Sequence, residues 1–275
     1  MVFFCTGTDR LHHMTDRAFI YDRCTQCEAV LMRQMPAQQD IQALYPTEYA
    51  AYQPATDIRD WSTLDSLPVR GHAVEIGCGP GNALASFARF RPEWTLEGVD
   101  FSAEAMTIAR KQLPRASLAH GDLIEWITQA PSAQYDLVIC EHVIEHVEDP
   151  QVLFDHLARI CAPHGIILLS IPNAGSLTMR LFRAKAFHLE TPRHLYIPSH
   201  RSIVQMVTRA QMRLRLFEGQ AYPSVLLRSG GKVFQRCCRW MARMRAPGII
   251  TRLLRPFRHH VPFLFSKVTY VISTK

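Results

Sequence analysis

The sequence predicts an α/β fold in which a largely parallel sheet is covered by helices on both faces. Between residues 71 and 218, short apolar runs alternate with segments of helical periodicity. Runs such as AVEIG, YDLVICE and GIILLSIPN are apolar at nearly every position, as expected for strands that are buried on both faces. With 275 residues and 48% apolar content, the chain is long enough to build such a core.

The elements follow one another in a regular order. Strands are expected at AVEIG, WTLEGVD, ASLAHGD, YDLVICE and GIILLSIPN, and helices at ALASFARF, SAEAMTIARKQL and PQVLFDHLARICA. The pattern also predicts a helix over 201–209, a strand over 212–218 and a last strand over 268–274. Because helical segments separate the strands, parallel pairing with crossover helices is favoured.

Composition divides the chain into regions. We expect a small Cys-containing lobe over 1–35, a connector over 36–70 and the main domain over 71–275, with a basic helical insert over 220–266. Residues 219–275 carry eleven Lys or Arg and no Asp or Glu, whereas residues 1–218 carry twenty basic and twenty-four acidic side chains. The main body is therefore mildly acidic and the tail strongly basic.

The charge pattern also bears on location. Asp9 and Arg10 lie where a signal peptide would be apolar, and no segment predicts a transmembrane helix, so we expect a cytoplasmic protein with reduced thiols. Residues 228–258 alternate basic and apolar side chains at helical spacing. This pattern predicts either peripheral contact with an anionic membrane or a lid whose apolar stripe packs on the domain.

A glycine-rich segment, VEIGCGPGNAL, spans residues 74–84. It joins a predicted strand to a predicted helix, so Gly77, Gly79 and Gly81 would form the turn at the carboxyl edge of the sheet, where open α/β sheets bind ligands. Glycine there permits positive φ and close approach of a ligand. A turn that needs glycine for its geometry alone is the alternative.

Three further strand ends carry polar groups, reading GVD over 98–100, GDL over 121–123 and CEH over 140–142. Asp100 lies nineteen residues after Gly81, at a position suited to accepting hydrogen bonds from ribose hydroxyls. A nicotinamide-dependent dehydrogenase would share these features, but its turn reads G-x-G-x-x-G, and here Pro80 removes an N–H donor. The four strand ends together predict a nucleoside site.

The motifs VEIGCGPG, GVDFS, HGDL, YDLVICEHVIEHVEDP and PHGIILLSIPN together resemble class I S-adenosylmethionine-dependent methyltransferases of the quinone or small-molecule O-methyltransferase type. The resemblance runs from about residue 71 to 219, with 268–274 as the final strand. It implies a Rossmann-like seven-stranded sheet whose last strand is antiparallel, and S-adenosylmethionine as the cofactor.

Carried over to this sequence, the resemblance implies a set of cofactor contacts. The methionine end of the cofactor would lie against Glu75, Gly77, Gly79 and Gly81, and the ribose would bind to Asp100. The adenine ring would lie against Phe101, with its edge at Asp122 and Leu123. Glu141, at the end of the fourth strand, is also expected to bind the cofactor.

Methyl transfer from a sulfonium is an in-line displacement, so the enzyme must align the nucleophile, the carbon and the sulfur, and must remove a proton from a hydroxyl acceptor. Histidine suits that proton transfer near neutral pH. Glu145 and His146 follow the fourth strand, and ETPRHLYIPSH adds His194. We predict these three as catalytic residues and assign no metal ligand, although some quinone-type members of the family that the chain resembles hold a divalent metal with such residues. A hydrogen-bonded turn and a lid contact are the structural alternatives.

The N-terminal cysteines form an incomplete motif. Cys24-x-x-Cys27, preceded by Cys5, resembles the second half of a zinc ribbon. The missing partner would fall at Val2, so the chain departs from that pattern unless His12 or His13 substitutes. We favour a metal-free, degenerate zinc-ribbon-like segment over a zinc site at Cys5, Cys24 and Cys27.

The leading functional hypothesis is S-adenosylmethionine-dependent methyl transfer, with oxygen as the expected methylated atom, to a small-molecule acceptor or one linked to a carrier such as a lipid or glycan. A nucleic-acid methyltransferase and a non-catalytic cofactor-binding protein are the alternatives. Nucleic acid is disfavoured because the fourth strand is followed by CEHV over 140–143 rather than by an Asn-Pro-Pro-Tyr type tetrapeptide.

Overall fold

A computed structural model describes residues 1–37, 40, 43–45, 53, 59–220 and 267–274. These residues form eleven strands: β1 (Val2–Gly7), β2 (Phe19–Arg23), β3 (Val30–Met32), β4 (His72–Ile76), β5 (Thr95–Asp100), β6 (Ser117–His120), β7 (Tyr135–Glu141), β8 (Cys161–Pro172), β9 (Tyr196–Ile197), β10 (Arg213–Gln220) and β11 (Lys267–Ser273). The described α-helices are α1 (Asn82–Phe90), α2 (Ala103–Gln112), α3 (Leu123–Gln129), α4 (Pro150–Ile160), α5 (Leu177–Phe182) and α6 (His200–Arg209).

The main sheet has seven strands in the order β10-β11-β8-β7-β4-β5-β6. Neighbouring strands from β8 to β6 pair in parallel. In contrast, β11 runs antiparallel to both β8 and β10. The predicted α/β fold is therefore confirmed, including the antiparallel last strand.

The apolar runs form strands because the sheet has a core on each face. In β7, Val138 and Cys140 belong to the cluster on one face, while Leu137 and Ile139 belong to the cluster on the other. All four side chains are fully buried. A strand in this position needs apolar residues at consecutive rather than alternate positions, which explains the continuous runs.

Local signals set where the helices begin. The side chain of Asp149 accepts hydrogen bonds from Gln151 N and Val152 N ahead of α4, which has a proline in its first turn. Ser102 caps α2 in the same way. The segment PQVLFDHLARICA was predicted as one helix, but α4 ends at Ile160 and β8 begins at Cys161, so its last residues are extended.

A second sheet has four strands in the order β1-β2-β3-β9. Its fourth strand comes from the segment that follows β8, since Val30 pairs with Ile197 and Leu31 with Tyr196. A separate apolar cluster, including Phe4 and Leu195, lies against this sheet. The N-terminal residues are thus built into the region that carries His194, although the domain limits 1–35, 36–70 and 71–275 remain predictions.

The predicted basic insert lies almost entirely outside the described residues. Of the range 220–266, only Gln220 is described, as the end of β10. The predicted membrane contact over 228–258 also falls outside. In the part of the chain that the structure describes, no helix combines the length and apolar character that crossing a membrane requires.

Candidate functional site

The glycine loop between β4 and α1 has three residues in the left-handed region, with φ of 71° at Gly77, 52° at Gly79 and 83° at Gly81. A Cβ at Gly77 would lie 2.4 Å from Val143 Cγ2, and one at Gly81 would lie 2.8 Å from Leu113 Cδ1. Side chains are therefore excluded at these two positions by the protein itself as well as by the backbone conformation.

Replacing Gly77 with alanine is expected to lower both thermal stability and cofactor affinity. A non-glycine residue in a rare backbone region costs about 1–3 kcal/mol, and the clash with Val143 adds to this. Gly121→Ala is the matched control, because a Cβ there meets no atom within 4 Å. Thermal melts and cofactor titrations check this; equal melting temperatures for Gly77→Ala and wild type would contradict it.

Asp100 holds the glycine loop from the neighbouring strand. Its Oδ2 accepts a hydrogen bond from Gly79 N at 2.8 Å, and its Oδ1 accepts one from Ser102 N at 2.9 Å. The side chain is 4% exposed, and this burial raises its pKa despite the two backbone bonds. Each carboxylate oxygen can accept more than one hydrogen bond, so anchoring the loop does not exclude the predicted ribose contact.

The predicted adenine contacts lie along the adjoining strand ends. Phe101 is half-buried, and the ring of Tyr45 meets it edge-on with centroids 5.5 Å apart. Asp122 caps α3, its Oδ1 accepting hydrogen bonds at 2.9 Å from the N–H groups of Ile124 and Glu125, and Leu123 is the first residue of that helix. Helix capping is a role of Asp122 that the sequence analysis did not assign.

The pKa values of two carboxyl groups at the ends of β4 and β7 are shifted in opposite directions. Burial, together with Glu141, raises the pKa of Glu75 well above its ordinary value, which favours the neutral form. Burial alone would raise the pKa of Glu141 as well, but Arg59, Lys267 and a hydrogen bond from Ser170 lower it to about 2. Arg59 Nη1 lies 2.5 Å and Ser170 Oγ 2.6 Å from Glu141 Oε1. Glu141 is therefore ionised at neutral pH.

Arg59 belongs to the connector, where weak periodicity hid it from sequence analysis. Its backbone N–H donates to Ser86 Oγ at 3.1 Å, and the indole N–H of Trp61 donates to the same oxygen at 3.1 Å. These bonds fix the connector on α1 and bring a cation to the carboxyl edge of the sheet. No local motif marks this position.

The three predicted catalytic residues meet in one cluster. The rings of His146 and His194 are 4.7 Å apart in an edge-to-face arrangement, and His194 Nε2 lies 3.9 Å from Glu145 Oε1. Glu145 is fully buried, and among the described residues its Oε2 has no hydrogen-bond partner. Its Oε1 lies 3.1 Å from His142 Nδ1. The structure brings the three residues together, and their catalytic role remains a prediction.

Backbone carbonyls set the tautomers of the two histidines. Nδ1 of His146 lies 3.0 Å from Arg193 O and 2.9 Å from the hydroxyl oxygen of Tyr45, which can also accept, and Nδ1 of His194 lies 2.9 Å from His188 O. Because a carbonyl oxygen only accepts, we assign the proton to Nδ1 in both rings, which leaves each Nε2 as a proton acceptor. Burial and the neighbouring His194 lower the pKa of His146 to about 4, so its ring is neutral near pH 7.

The carboxyl group of Glu145 supplies the charge of this cluster. Burial would raise its pKa, but the hydrogen bond with His142 and the nearby imidazoles lower it to about 2. The ligand atoms of Glu145, His146 and His194 all lie within 4.8 Å of one another. The two imidazole nitrogens and the carboxylate can serve as proton acceptors. The same atoms are also metal ligands of the kind that zinc and iron bind.

A buried ion pair connects the segment after β1 to the residues beside this cluster. Arg193 Nη2 lies 2.8 Å from Asp9 Oδ1, and both side chains are fully buried. Arg193 Nη1 also donates to Leu44 O at 3.0 Å, so the guanidinium joins three distant segments. Sequence analysis missed Arg193 and Asp9 because 184 positions separate them and neither belongs to a motif.

The structure separates the cysteines of the incomplete zinc-ribbon pattern. Cys5 lies in β1 opposite Tyr21, inside the apolar cluster of the small sheet, where burial raises its pKa to about 11. Cys24 and Cys27 lie in the turn between β2 and β3. Among the described residues, the group of three or more side chains arranged as metal ligands is the Glu145 cluster.

Comparison with known proteins gives the family. A model described as "Methyltransferase domain" matches residues 47–215, more than half of the chain. A trans-aconitate 2-methyltransferase of Azoarcus sp. (strain BH72) is 35% identical over 111 residues, which are 40% of this chain and 43% of that protein. One of Rhizobium meliloti (strain 1021) is 28% identical over 178 residues, 62% and 67% of the two chains. The first of these matches thus spans less than half of the relative's length.

Solved structures share the fold at low identity. The YcgJ protein from Bacillus subtilis has a TM-score of 0.53 at 15% identity, covering 78% of this chain and 96% of that one. Haemonchus contortus phosphoethanolamine N-methyltransferase 2, solved in complex with S-adenosyl-L-methionine, has a TM-score of 0.57 at 15% identity, covering 89% and 61%. Given the family match, the sheet order and the glycine loop, this chain belongs to the class I S-adenosylmethionine-dependent methyltransferase family.

Proposed function

We propose that this protein transfers the methyl group of S-adenosylmethionine to a hydroxyl oxygen of a small-molecule acceptor. The observation that carries the proposal is the Glu145 cluster, in which two imidazoles present Nε2 as a proton acceptor beside a buried carboxylate. Hydroxyl acceptors need such a group, because their proton must leave as the new bond forms.

The residues at the carboxyl edge of the sheet fit the cofactor. Acidic side chains at Asp100 and Glu141 can accept hydrogen bonds from hydroxyl and ammonium groups, and half-buried Phe101 offers an aromatic face. Arg59 provides a cation at the same edge for a carboxylate. When bound, the cofactor supplies a methyl group on a positively charged sulfur. The protein's part is to hold donor and acceptor in line and to exclude water.

Charge on the acceptor side favours a neutral hydroxyl acceptor over a polyanion. Among the described residues, the cluster contains the carboxylate of Glu145, and Glu190 lies 3.7 Å from His194; the charge of nearby Asp9 is balanced by Arg193. A polycarboxylate would meet like charges in a buried setting. Methylation of a carboxylate, the second candidate, is favoured instead by the two relatives named for trans-aconitate, and it would need no base.

His146→Ala and His194→Ala are expected to separate these candidates. If one imidazole accepts the acceptor's proton, kcat should fall by about 10²–10⁴-fold in that variant, with little change in cofactor affinity. His72→Ala is the control, because His72 is exposed at the opposite, amino end of β4. Turnover at the wild-type rate in both cluster variants would remove the base from the proposal.

The acceptor itself is best found with labelled cofactor. The protein, the cofactor carrying a labelled methyl group and a metabolite extract are incubated together, and labelled products are identified by mass spectrometry. A methyl ether would support the proposal, and a methyl ester of trans-aconitate, assayed in parallel, would overturn it in favour of carboxylate methylation. Transfer to no component would favour the non-catalytic binding protein. A parallel sample with chelator shows whether the Glu145 cluster needs a metal ion.

A further inference from the structure

The Cys24-x-x-Cys27 motif forms a compact thiol pair that the methyltransferase site does not use. Cys24 begins the turn between β2 and β3, and Cys27 lies inside it; the turn is closed by hydrogen bonds from Cys24 N to Ala29 O at 2.8 Å and from Glu28 N to Cys24 O at 3.0 Å. Both side chains are partly exposed. Because Cys27 follows Cys24 by three residues inside one closed turn, a disulfide between them would need no approach of distant parts of the chain.

The contacts of the two sulfurs are unequal. The backbone N–H groups of Cys27 and Gln26 lower the pKa of Cys24, because nearby N–H dipoles favour the thiolate. Burial instead raises the pKa of Cys27. Cys24 thus has the surroundings of an attacking thiolate, and Cys27 those of a second thiol held beside it.

The other described cysteines differ from this pair. Cys5, Cys78, Cys140 and Cys161 are all buried, and burial raises the pKa of each thiol. Buried neutral thiols react slowly because the thiolate is the nucleophile. Among the described cysteines, Cys24 and Cys27 are therefore the two that are both partly exposed and close in sequence to another thiol.

We propose that Cys24 and Cys27 are a reversible dithiol–disulfide pair whose oxidant is a small disulfide such as oxidised glutathione. The Cys24 thiolate attacks one sulfur of that disulfide, which forms a mixed disulfide and releases one thiolate. The Cys27 thiolate then attacks Cys24 Sγ, which forms the Cys24–Cys27 bond and releases the second thiolate. Two electrons pass from the dithiol to the small disulfide, which leaves as two thiols after protonation.

The turn is attached to the region that carries the acceptor-side cluster. Ser199 Oγ donates to Cys27 O, and Ser199 is the N-cap of α6, only five residues after His194. Glu28, the residue after Cys27, forms an ion pair with Arg180 at 3.3 Å. Oxidation would tighten a turn that contacts the start of α6. The thiol–disulfide state of the pair would therefore affect the position of this helix start.

The test follows one tryptic peptide through glutathione buffers of increasing oxidised fraction. Cleavage after Arg23 and Arg33 yields CTQCEAVLMR, which holds both cysteines and no other. After free thiols are alkylated in acid-quenched samples, we expect this peptide to lose both alkyl groups together and to weigh two hydrogens less than the reduced form. A peptide that stays fully alkylated in the most oxidised buffer would overturn the proposal.

Two serine variants test the roles of the thiols. Cys27→Ser should stop at a stable glutathione adduct on Cys24, while Cys24→Ser should form neither adduct nor internal disulfide under the same conditions. The reverse pattern would overturn the assignment of Cys24 as the attacking thiol. Metal analysis is run on the same samples, and zinc retained by wild type but lost in both variants would show a metal site instead of a redox pair. Circular dichroism checks that each variant is folded.

Discussion

Replacing Asp9 with alanine is expected to lower the free energy of unfolding by about 3–5 kcal/mol. The substitution leaves the guanidinium of Arg193 buried without its carboxylate, and such an uncompensated charge is costly in a low-dielectric interior. It also removes the acceptor of hydrogen bonds from His12 N and Met14 N. Urea unfolding followed by circular dichroism measures the change.

An exposed ion pair is the control for Asp9→Ala. Arg33 Nη2 lies 2.6 Å from Asp22 Oδ1, closer than the buried pair, but the Arg33 side chain is 48% exposed. Water screens this interaction, so Asp22→Ala should change the unfolding midpoint little. If both variants lost a similar free energy of unfolding, burial would not explain the stabilisation by the Asp9–Arg193 pair.

The buried pair of Asp9 and Arg193 also predicts that the protein loses stability in acid. Burial raises the pKa of Asp9, but hydrogen bonds from Arg193, Met14 N and His12 N outweigh it and lower the pKa overall. A carboxyl group with a lower pKa in the folded chain stabilises the fold above its unfolded pKa, about 3.9, and that stabilisation is lost as the pH falls through the folded value. The difference between wild type and Asp9→Ala should therefore be largest near neutral pH and shrink below about pH 4.

Replacing Asp100 with alanine is expected to weaken S-adenosylmethionine binding by about 10- to 100-fold. The variant would lose a carboxylate predicted to bind the ribose, together with the bonds to Gly79 N and Ser102 N that order the glycine loop. Isothermal titration calorimetry measures the affinity. Unchanged affinity would remove Asp100 from the cofactor site.

Asp136→Ala is the matched control for Asp100→Ala. Asp136 accepts a backbone hydrogen bond from His72 N at 2.9 Å, but it lies at the amino end of the sheet, far from the glycine loop. Both variants lose a carboxylate that accepts from the backbone, so both are expected to lose some stability. Only Asp100→Ala should lose cofactor affinity, and equal losses of affinity would indicate a general structural effect.

The main sheet could be predicted because its signals are local. Leu137 to Cys140 are consecutive apolar residues that face two cores, and each strand end with a polar group lies within a few positions of its strand. Strand ends in a parallel sheet share one edge, so motif order alone brought Glu141 near the glycine loop. These parts of the fold need no knowledge of distant contacts.

The parts that sequence analysis missed depend on contacts between distant segments. Arg59 reaches Glu141 across 82 positions, and Asp9 reaches Arg193 across 184. Neither arginine belongs to a recognisable sequence motif, because each pairs with a carboxylate that only the folded chain brings close to it. Sequence analysis left open whether the glycines serve ligand approach or turn geometry. It could not show that the distant side chains of Val143 and Leu113 exclude a Cβ at Gly77 and Gly81.

The pairing of β3 with β9 governs when the small sheet can be completed. Val30 and Ile197 are partners, so the ribosome must synthesise most of the chain before the fourth strand exists. Pairings between residues so far apart in sequence, which raise the contact order, form slowly. During synthesis, the apolar side chains of Phe4 and Tyr21 therefore stay exposed until Leu195 and its neighbours have been made. We expect this sheet to form late, and its exposed apolar face to favour aggregation until then.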